Sequence, residues 1–283
     1  MIYVSTNCLR NPKNVIKVLQ EYEKANFGNV ELGSVHSFFN IKELKQFNFN
    51  FLIHGYFPPP KTKLIFNLAS VNKTIRKRSI KLAKDAIRLC CDIESPLYTF
   101  HAGFSTDPKK LGNRFSQKNI VDKEKSIKIF VESVTDIIDY AKIYGIKIAM
   151  EPNVVEKFNL TNDKNELLLF SDIDDIKQFY NIFNKKDVGL LLDLGHTAVT
   201  SHWLNFDKNV FVNFCKDKVM AIHVSNNNGK NDQHRSLTKN CWQTSKLKIF
   251  KNIPITLETM NLDIKKIKSN IKIAENSIHS NLP

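Results

Sequence analysis

Six successive apolar runs of the sequence end in a residue that can hold a proton or bind a metal ion. These terminal residues are His54, His101, Glu151, Asp193, His223 and Glu258. Three more residues of the same types follow the sixth and seventh runs: His196, Asp232 and His234. Any one of them alone is more often a structural hydrogen-bonding residue or a helix cap. Gathered in one place they would be costly without a cation, so the set predicts a divalent metal site.

The residue types in this set narrow the choice of metal. Imidazole and carboxylate ligands suit Zn²⁺, Mn²⁺, Fe²⁺ or Co²⁺ better than Ca²⁺. The chain has five cysteines, and none belongs to the set: Cys8, Cys90, Cys91, Cys215 and Cys241. They form no C-x-x-C pair and are too few for a disulfide framework in a chain of this length. We therefore expect reduced thiols and a site that is not a structural zinc site.

The elements that must position these residues follow from the alternation of apolar and helical segments. Eight short apolar, β-branched runs are predicted to be strands: 2–6, 30–34, 49–54, 97–101, 146–151, 188–193, 219–223 and 255–258. Eight segments of helical period follow them: 14–24, 41–46, 74–89, 121–144, 173–183, 206–216, 244–251 and 264–275. This order predicts a parallel sheet with right-handed crossovers.

Eight such units are the number that closes a (β/α)₈ TIM barrel. An open, doubly wound sheet is the alternative, since periodicity cannot show closure. In a barrel every strand delivers its C-terminal end to one mouth, where catalytic groups converge. The barrel therefore predicts that the polar strand ends meet.

Length and composition set the outer limits of the interpretation. The chain has 283 residues, 42% of them hydrophobic and 25% charged, which is typical of a globular protein. Neither a composition break nor a repeat divides it, so we expect one domain over residues 1–283. No apolar run approaches the roughly 18 residues that a membrane span needs, and the start of the chain lacks the apolar stretch of a signal peptide. These features predict a soluble, cytoplasmic protein, and they leave oligomerisation open.

The net charge of +14 raises nucleic acid as a partner. The lysines are spread along the chain, however, and the basic cluster from Lys73 to Lys81 falls in a segment of helical period. A solvated basic face is the simpler interpretation. Nucleic acid therefore remains the less favoured partner.

Six segments of the chain resemble the xylose isomerase-like TIM-barrel superfamily, which includes sugar and sugar-phosphate isomerases and epimerases as well as endonuclease IV. The segments are FLIHGYF (51–57), TFHAGF (99–104), AMEPN (149–153), LLDLGHT (191–197), IHVSNNNGKNDQH (222–234) and ITLET (255–259). For the isomerase and epimerase branch, the resemblance implies four metal ligands: Glu151, Asp193, His223 and Glu258. For the endonuclease IV branch it implies a three-zinc site that uses all nine residues named above. Ligand identity alone does not separate the branches.

The first hypothesis is a metal-dependent isomerase or epimerase with a carbohydrate substrate. Such chemistry needs a metal to polarise a carbonyl and hydroxyl pair, plus an acid and a base. The resemblance implies that Glu151 and Glu258 are these catalytic groups and that His196 binds a substrate oxygen. Three more residues are candidates for substrate binding: Asn153, Lys230 and Arg235.

The alternative hypothesis is an apurinic endonuclease similar to endonuclease IV, with a multi-zinc site. Against it, the family's short H-x-x-Y-L stretch after the third strand is replaced by GYFPPPKTKLIFNLAS, and its G-E-G after the D-x-H-x-S-L motif is absent. The sequence therefore favours the isomerase or epimerase branch. Asparagines stand at 226–228, where many relatives carry an Asp, so a barrel with altered chemistry remains a third alternative.

Overall fold

The computed structural model describes residues 1–110, 115 and 120–279, and its central feature is a barrel of eight parallel strands. The strands are β1 (Ile2–Ser5), β2 (Asn29–Leu32), β3 (Asn50–His54), β4 (Leu97–His101), β5 (Lys147–Glu151), β6 (Gly189–Asp193), β7 (Val219–Val224) and β8 (Ile255–Leu257). They pair in chain order, and β8 returns to pair with β1. The predicted (β/α)₈ barrel is confirmed, and the open sheet is excluded.

Helices connect the strands along the outside of the barrel. The α-helices are α1 (Val15–Lys24), α2 (Lys73–Asp92), α3 (Lys123–Tyr144), α4 (Ile173–Ile182), α5 (Leu194–Trp203), α6 (Lys208–Cys215), α7 (Trp242–Lys246) and α8 (Ile264–His279). Three short 3₁₀ helices occupy Ile41–Gln46, Lys157–Asn159 and Leu247–Phe250.

Alternation along the strands sorts their side chains into two layers, because successive side chains of a strand point to opposite faces. The outward set packs under the helices in the main core. The inward set forms a separate apolar cluster inside the barrel: Tyr3, Leu52, Leu97, Ala149, Leu191 and Ala221. Two residues further along on the same face lie His54, Thr99, Glu151, Asp193 and His223. The period of the strand thus places an apolar plug below and ionisable groups above it.

Strand register brings these ionisable groups to one level. His101 on β4 is directly opposite Glu151 on β5, and Asp193 on β6 is opposite His223 on β7. Parallel strands in a closed barrel all point the same way, so these ends share one mouth.

Helix α5 differs from the prediction, which placed no helix between residues 193 and 206. Its residues from Leu194 to Ser201 are all buried, so it has no polar face and no visible amphipathic period. It also contains Gly195 and several β-branched residues, which are poor helix formers. The predicted helix over 206–216 is present as the shorter α6.

Other predictions meet the structure only in part. All five thiols are free, as expected from their spacing. Among the described residues, no helix is both long and apolar enough to cross a membrane. The single domain over 1–283 stays a prediction, because residues 280–283 lie outside the described part of the chain.

Candidate metal centre

Glu151, at the end of β5, lies at the centre of the barrel mouth and faces three imidazoles. Its Oε2 is 3.5 Å from Nε2 of His54 and 3.3 Å from Nδ1 of His101. Its Oε1 is 2.9 Å from Nδ1 of His196. The carboxylate is fully buried. A carboxylate with different partners on its two oxygens is suited to bridge two ions.

A second group lies at the ends of β6, β7 and β8. Asp193, His223 and Glu258 each offer a ligand atom within 4.8 Å of the others. Nδ1 of His223 is 3.2 Å from Oε2 of Glu258 and 4.0 Å from Oδ2 of Asp193. With Glu151 across the mouth, this group contains the four ligands expected of a single-ion site.

A third group combines His196 with two residues of the loop after β7. Oδ2 of Asp232 is 3.0 Å from Nε2 of His234 and 3.4 Å from Nε2 of His196. The three ligand atoms lie within 4.8 Å of one another. All nine residues singled out from the sequence therefore lie in one mouth, in three groups that adjoin through Glu151 and His196.

The geometry of β6 and α5 explains how Asp193 and His196 come together. Asp193 is the N-cap of α5, and its Oδ1 accepts a hydrogen bond of 2.7 Å from the backbone N–H of His196. The hydroxyl of Thr197 donates to the backbone carbonyl of Asp193 at 2.7 Å. The cap satisfies one oxygen of the carboxylate and a free helical N–H. The other oxygen, Oδ2, faces the mouth.

Hydrogen bonds to a hydroxyl and to a backbone carbonyl fix the orientation of two histidine rings. Nδ1 of His54 is 2.9 Å from the hydroxyl of Thr99, which leaves Nε2 towards Glu151. Nδ1 of His234 is 2.9 Å from the backbone carbonyl of Glu258, which leaves Nε2 towards Asp232. Metal-binding histidines are commonly oriented in this way.

Unsatisfied polar atoms test whether these residues fit a metal. Among the described residues, half of the twelve buried side-chain N and O atoms without a hydrogen bond belong to the nine candidate ligands. They are both carboxylate oxygens of Glu151, Oδ2 of Asp193, Nδ1 of His196, Nδ1 of His223 and Oδ1 of Asp232. Buried polar atoms without partners are costly. Each belongs to a residue of the three groups, so the residues fit divalent metal ions.

Burial and mutual charge shift the pKa values in opposite directions. Burial lowers the pKa of His101 to about 4, despite the opposing carboxylate of Glu151. Burial also raises the pKa of Asp193 to about 6. For His234 the burial effect is outweighed by Asp232, which helps to raise the pKa to about 10. The raised pKa of His234 lets its imidazole carry a proton beside Asp232, and a metal ion bound there would compete with that proton.

The sequence model of one protein family matches residues 41–276, and its description is xylose isomerase-like TIM barrel. The chain belongs to this family. The resemblance seen in the sequence is thereby confirmed. Membership in this family establishes the barrel and leaves the specific reaction open.

Curated relatives of this xylose isomerase-like barrel share low identity with it. An uncharacterized protein of Methanocaldococcus jannaschii is 24% identical over 237 residues, which cover 81% of this chain and 77% of the relative. A probable endonuclease 4 of Aquifex aeolicus is 22% identical over 211 residues, which cover 70% of this chain and 64% of the relative. The match thus spans less than two thirds of the Aquifex protein.

Solved structures of the same barrel type superpose on nearly the whole chain. A D-tagatose 3-epimerase-like protein has a TM-score of 0.69 and 20% identity, and the match covers 98% of this chain and 99% of the other. A putative xylose isomerase from Rhodospirillum rubrum has a TM-score of 0.68 and 12% identity, with coverage of 100% and 99%. At these identities the likeness shows the fold alone.

The three residues predicted to bind substrate lie in different places. Asn153 lines the mouth cavity, but its Nδ2 donates to the carbonyls of Gly103 and Leu169, at 3.1 and 2.7 Å. Lys230 and Arg235 are exposed in the loop after β7, and neither lines the cavity. The structure thus brings Asn153 to the ligand cluster and leaves the two cations on the rim. Their roles towards a substrate stay predictions.

Three residues at the mouth were not singled out from the sequence. Asn7, which follows β1, lines the cavity with a buried Oδ1 that has no hydrogen-bond partner. Oε1 of Glu156 accepts from the backbone N–H of Asp232 at 3.0 Å and so ties the loop after β5 to the loop after β7. Glu31 lies inside the barrel on β2 and contacts His223. None of the three ends an apolar run, which was the signal that found six of the nine candidate ligands.

The cavity above the ligands has a volume of about 310 Å³. Histidines and carboxylates form its floor. Its walls are largely apolar and include Val35, Tyr56, Phe66, Phe104, Phe158 and Leu168. Such walls exclude water from a charged floor, and this strengthens electrostatic interactions there.

Proposed function

We propose that this protein is a multi-metal phosphodiesterase that cleaves nucleic acid. The observation that carries the proposal is the convergence of nine candidate ligand side chains in the barrel mouth. Eight of them form overlapping triads whose ligand atoms lie within 4.8 Å of one another, and the ninth, His101, lies 3.3 Å from Glu151. A single-ion isomerase or epimerase would bind its metal through four of them and use His196 for substrate, which leaves four without a role: His54, His101, Asp232 and His234. A multi-metal site uses all nine. This geometry reverses the preference that the sequence alone suggested.

The residues of the chain have distinct tasks in such a site. Glu151 would join neighbouring ions, since its two oxygens face different histidines. His54 and His234 present one ring nitrogen each, because the other nitrogen is engaged. When bound, divalent ions supply the Lewis-acid stabilisation of phosphoryl charge that phosphodiester hydrolysis requires.

Two further features support nucleic acid as the substrate class. Relatives of this chain include probable endonucleases 4. Exposed lysines also stand on the loops that follow β3, β4, β5 and β7, on the same side of the barrel as the mouth: Lys61, Lys63, Lys109, Lys157 and Lys230. A basic rim around a metal-binding floor attracts a polyanion and speeds its encounter.

Sugar isomerisation or epimerisation is the second candidate, and the cavity favours it. Glu151 and Glu258 are both buried in the mouth, and a cavity of about 310 Å³ with apolar walls suits a small molecule. In epimerisation one glutamate would remove a proton from carbon and the other would return one to the opposite face of that carbon.

One preparation tested in two assays separates the candidates. We expect the metal-loaded protein to nick duplex DNA at an abasic site and to catalyse no exchange of carbon-bound hydrogen in ketoses or their phosphates with solvent deuterium. His234→Asn should lower nicking by on the order of 100-fold, because it removes a ligand of the third group. His202→Asn is the matched control, since His202 is exposed on α5 away from the mouth. Exchange without nicking would support the epimerase and overturn the nuclease.

A further inference from the structure

Glu31 is a buried carboxylate inside the barrel that the sequence pattern did not reveal. It is the third residue of β2 and is 1% exposed. Its Oε2 lies 3.0 Å from Nε2 of His223 and 3.1 Å from the hydroxyl of Thr256 on β8. Among the described residues its only ion pair is with His223, and its Oε1 has no hydrogen-bond partner.

A carboxylate at position 31 is unfavourable for stability alone, because a buried charge without good compensation destabilises the fold. Neighbouring inward positions of the barrel carry apolar or hydroxyl side chains, such as Leu52 and Thr256. A leucine at position 31 would extend the apolar plug. The contact with His223 is what distinguishes the glutamate from such a residue.

The contact leaves one nitrogen of His223 for a ligand role. Nε2 points to Glu31, which can only accept a hydrogen bond when ionised. The proton of a neutral ring therefore resides on Nε2. Nδ1 then carries the lone pair, has no hydrogen-bond partner, and faces Glu258 and Asp193 at 3.2 and 4.0 Å.

The two other histidines of the mouth whose rings are oriented by a hydrogen bond have neutral partners. His54 is held by the hydroxyl of Thr99, and His234 by the backbone carbonyl of Glu258. Only His223, among these three, is held by a carboxylate. An anionic partner fixes the tautomer more strongly than a neutral one and makes the opposite nitrogen a better electron-pair donor.

We propose that Glu31 is a positioning residue that fixes the tautomer of His223 and strengthens its Nδ1 as a ligand of the metal in the Asp193, His223 and Glu258 group. The inference rests on the metal centre of the proposed function but not on which reaction that centre catalyses. Glu31 itself contacts no substrate in this role and binds no metal.

Titration with Co²⁺ tests this role, because the visible spectrum of Co²⁺ reports ligand geometry independently of activity. We expect Glu31→Gln to weaken Co²⁺ binding at the second group by about 10- to 100-fold in competition with a chelator, and to change the spectrum of the bound ion. Thr256→Val, which removes the other donor to Glu31, should cause a smaller change in the same direction. Glu43→Gln, at an exposed position on the 3₁₀ helix Ile41–Gln46, is the matched control and should bind Co²⁺ with the wild-type affinity.

Thermal unfolding of the metal-free variants separates positioning from a structural role. A positioning role predicts that metal-free Glu31→Gln is still folded at the temperature of the Co²⁺ titration, so that weaker binding is not a result of unfolding. Wild-type Co²⁺ affinity and spectrum in a folded Glu31→Gln would overturn the inference. If that variant does not fold, unchanged affinity in Thr256→Val would overturn it instead. A wild-type protein that binds no Co²⁺ would overturn the proposed metal centre itself.

Discussion

At the scale of single residues, the site could be predicted wherever an ionisable group ends an apolar run. His54, Glu151 and His223 were found in this way because the barrel collects strand ends. Glu31 could not be found so, because it lies one residue before the end of its strand and resembles any polar residue of an exposed strand. Its role depends on its contact with His223, which lies 192 residues further along the chain. Tertiary neighbours of this kind leave no local signal.

Substitution of Glu151 should reduce the number of bound metal ions more than substitution of a residue that belongs to one ligand group. Its oxygens face His54, His101 and His196. We expect Glu151→Gln to lose more metal per chain than His234→Asn, because the amide offers one ligand oxygen in place of two. Mass spectrometry of the intact proteins under native conditions measures this. Equal or greater loss in His234→Asn would contradict a bridging role for Glu151.

At the scale of secondary-structure elements, the eight strands could be predicted to within about two residues, since period and β-branched composition are local properties. Helix α5 could not, because its burial on all sides removes the amphipathic pattern. Closure of the sheet also could not be derived from period, since it depends on pairing between β1 and β8. The resemblance to a barrel family supplied what the local pattern lacked.

Asp193 has two roles, because it is the N-cap of α5 and also a member of the ligand set. Asp193→Asn keeps an oxygen that can accept from the N–H of His196, whereas Asp193→Ala does not. We expect the alanine variant to be less stable than the asparagine variant by about 1 kcal/mol, with both impaired in metal binding. Urea unfolding in the presence of a chelator measures the difference, and equal stability would show that the cap contributes nothing.

The segment after β2 contains a buried histidine outside the ligand set, and its protonation should affect stability. Burial lowers the pKa of His36 to about 4, although its hydrogen bond to the carbonyl of Pro12 opposes the shift. The hydroxyl of Thr6 lies 2.6 Å from Nε2. An unfolded histidine has a pKa of about 6.5. The unfolded chain therefore takes up the proton first, and stability falls as the pH drops from about 6.5 towards 4.

This sign predicts a pH-dependent difference between wild type and His36→Gln. The glutamine cannot be protonated, so the wild type should lose up to about 3 kcal/mol relative to the variant over that pH window. Urea unfolding of chelator-treated protein at pH 7.5 and pH 4.5 checks it. A difference in stability that stays constant between the two pH values would contradict the buried, neutral His36.

At the scale of the whole molecule, the barrel concentrates charge of opposite sign in two places. The floor of the mouth carries buried carboxylates and imidazoles, whereas the net charge of the chain is +14. The sequence could predict the total charge but not that lysines follow several strands onto the rim. That arrangement depends on which loops share one end of the barrel.

Removal of metal should destabilise the whole molecule, because the ligands come from the ends of six strands, from α5 and from the loop after β7. Ions that bind the folded state alone stabilise it by mass action, by about 2.7 kcal/mol at a free concentration 100 times the dissociation constant. We expect a chelator to lower the unfolding temperature and added Zn²⁺ or Mn²⁺ to restore it. Differential scanning calorimetry measures both steps. An unfolding temperature that the chelator does not change would argue against bound metal ions.

The number of divalent ions bound per folded chain tests the central claim most directly. The proposed site has three adjoining ligand groups, so native mass spectrometry of the wild-type protein, purified without chelator and checked by elemental analysis, should find two or three ions. His234→Asn should bind one fewer, and His202→Asn should match wild type. A wild-type protein that binds one ion, with His234→Asn unchanged, would contradict the multi-metal site and return the single-ion epimerase to first place.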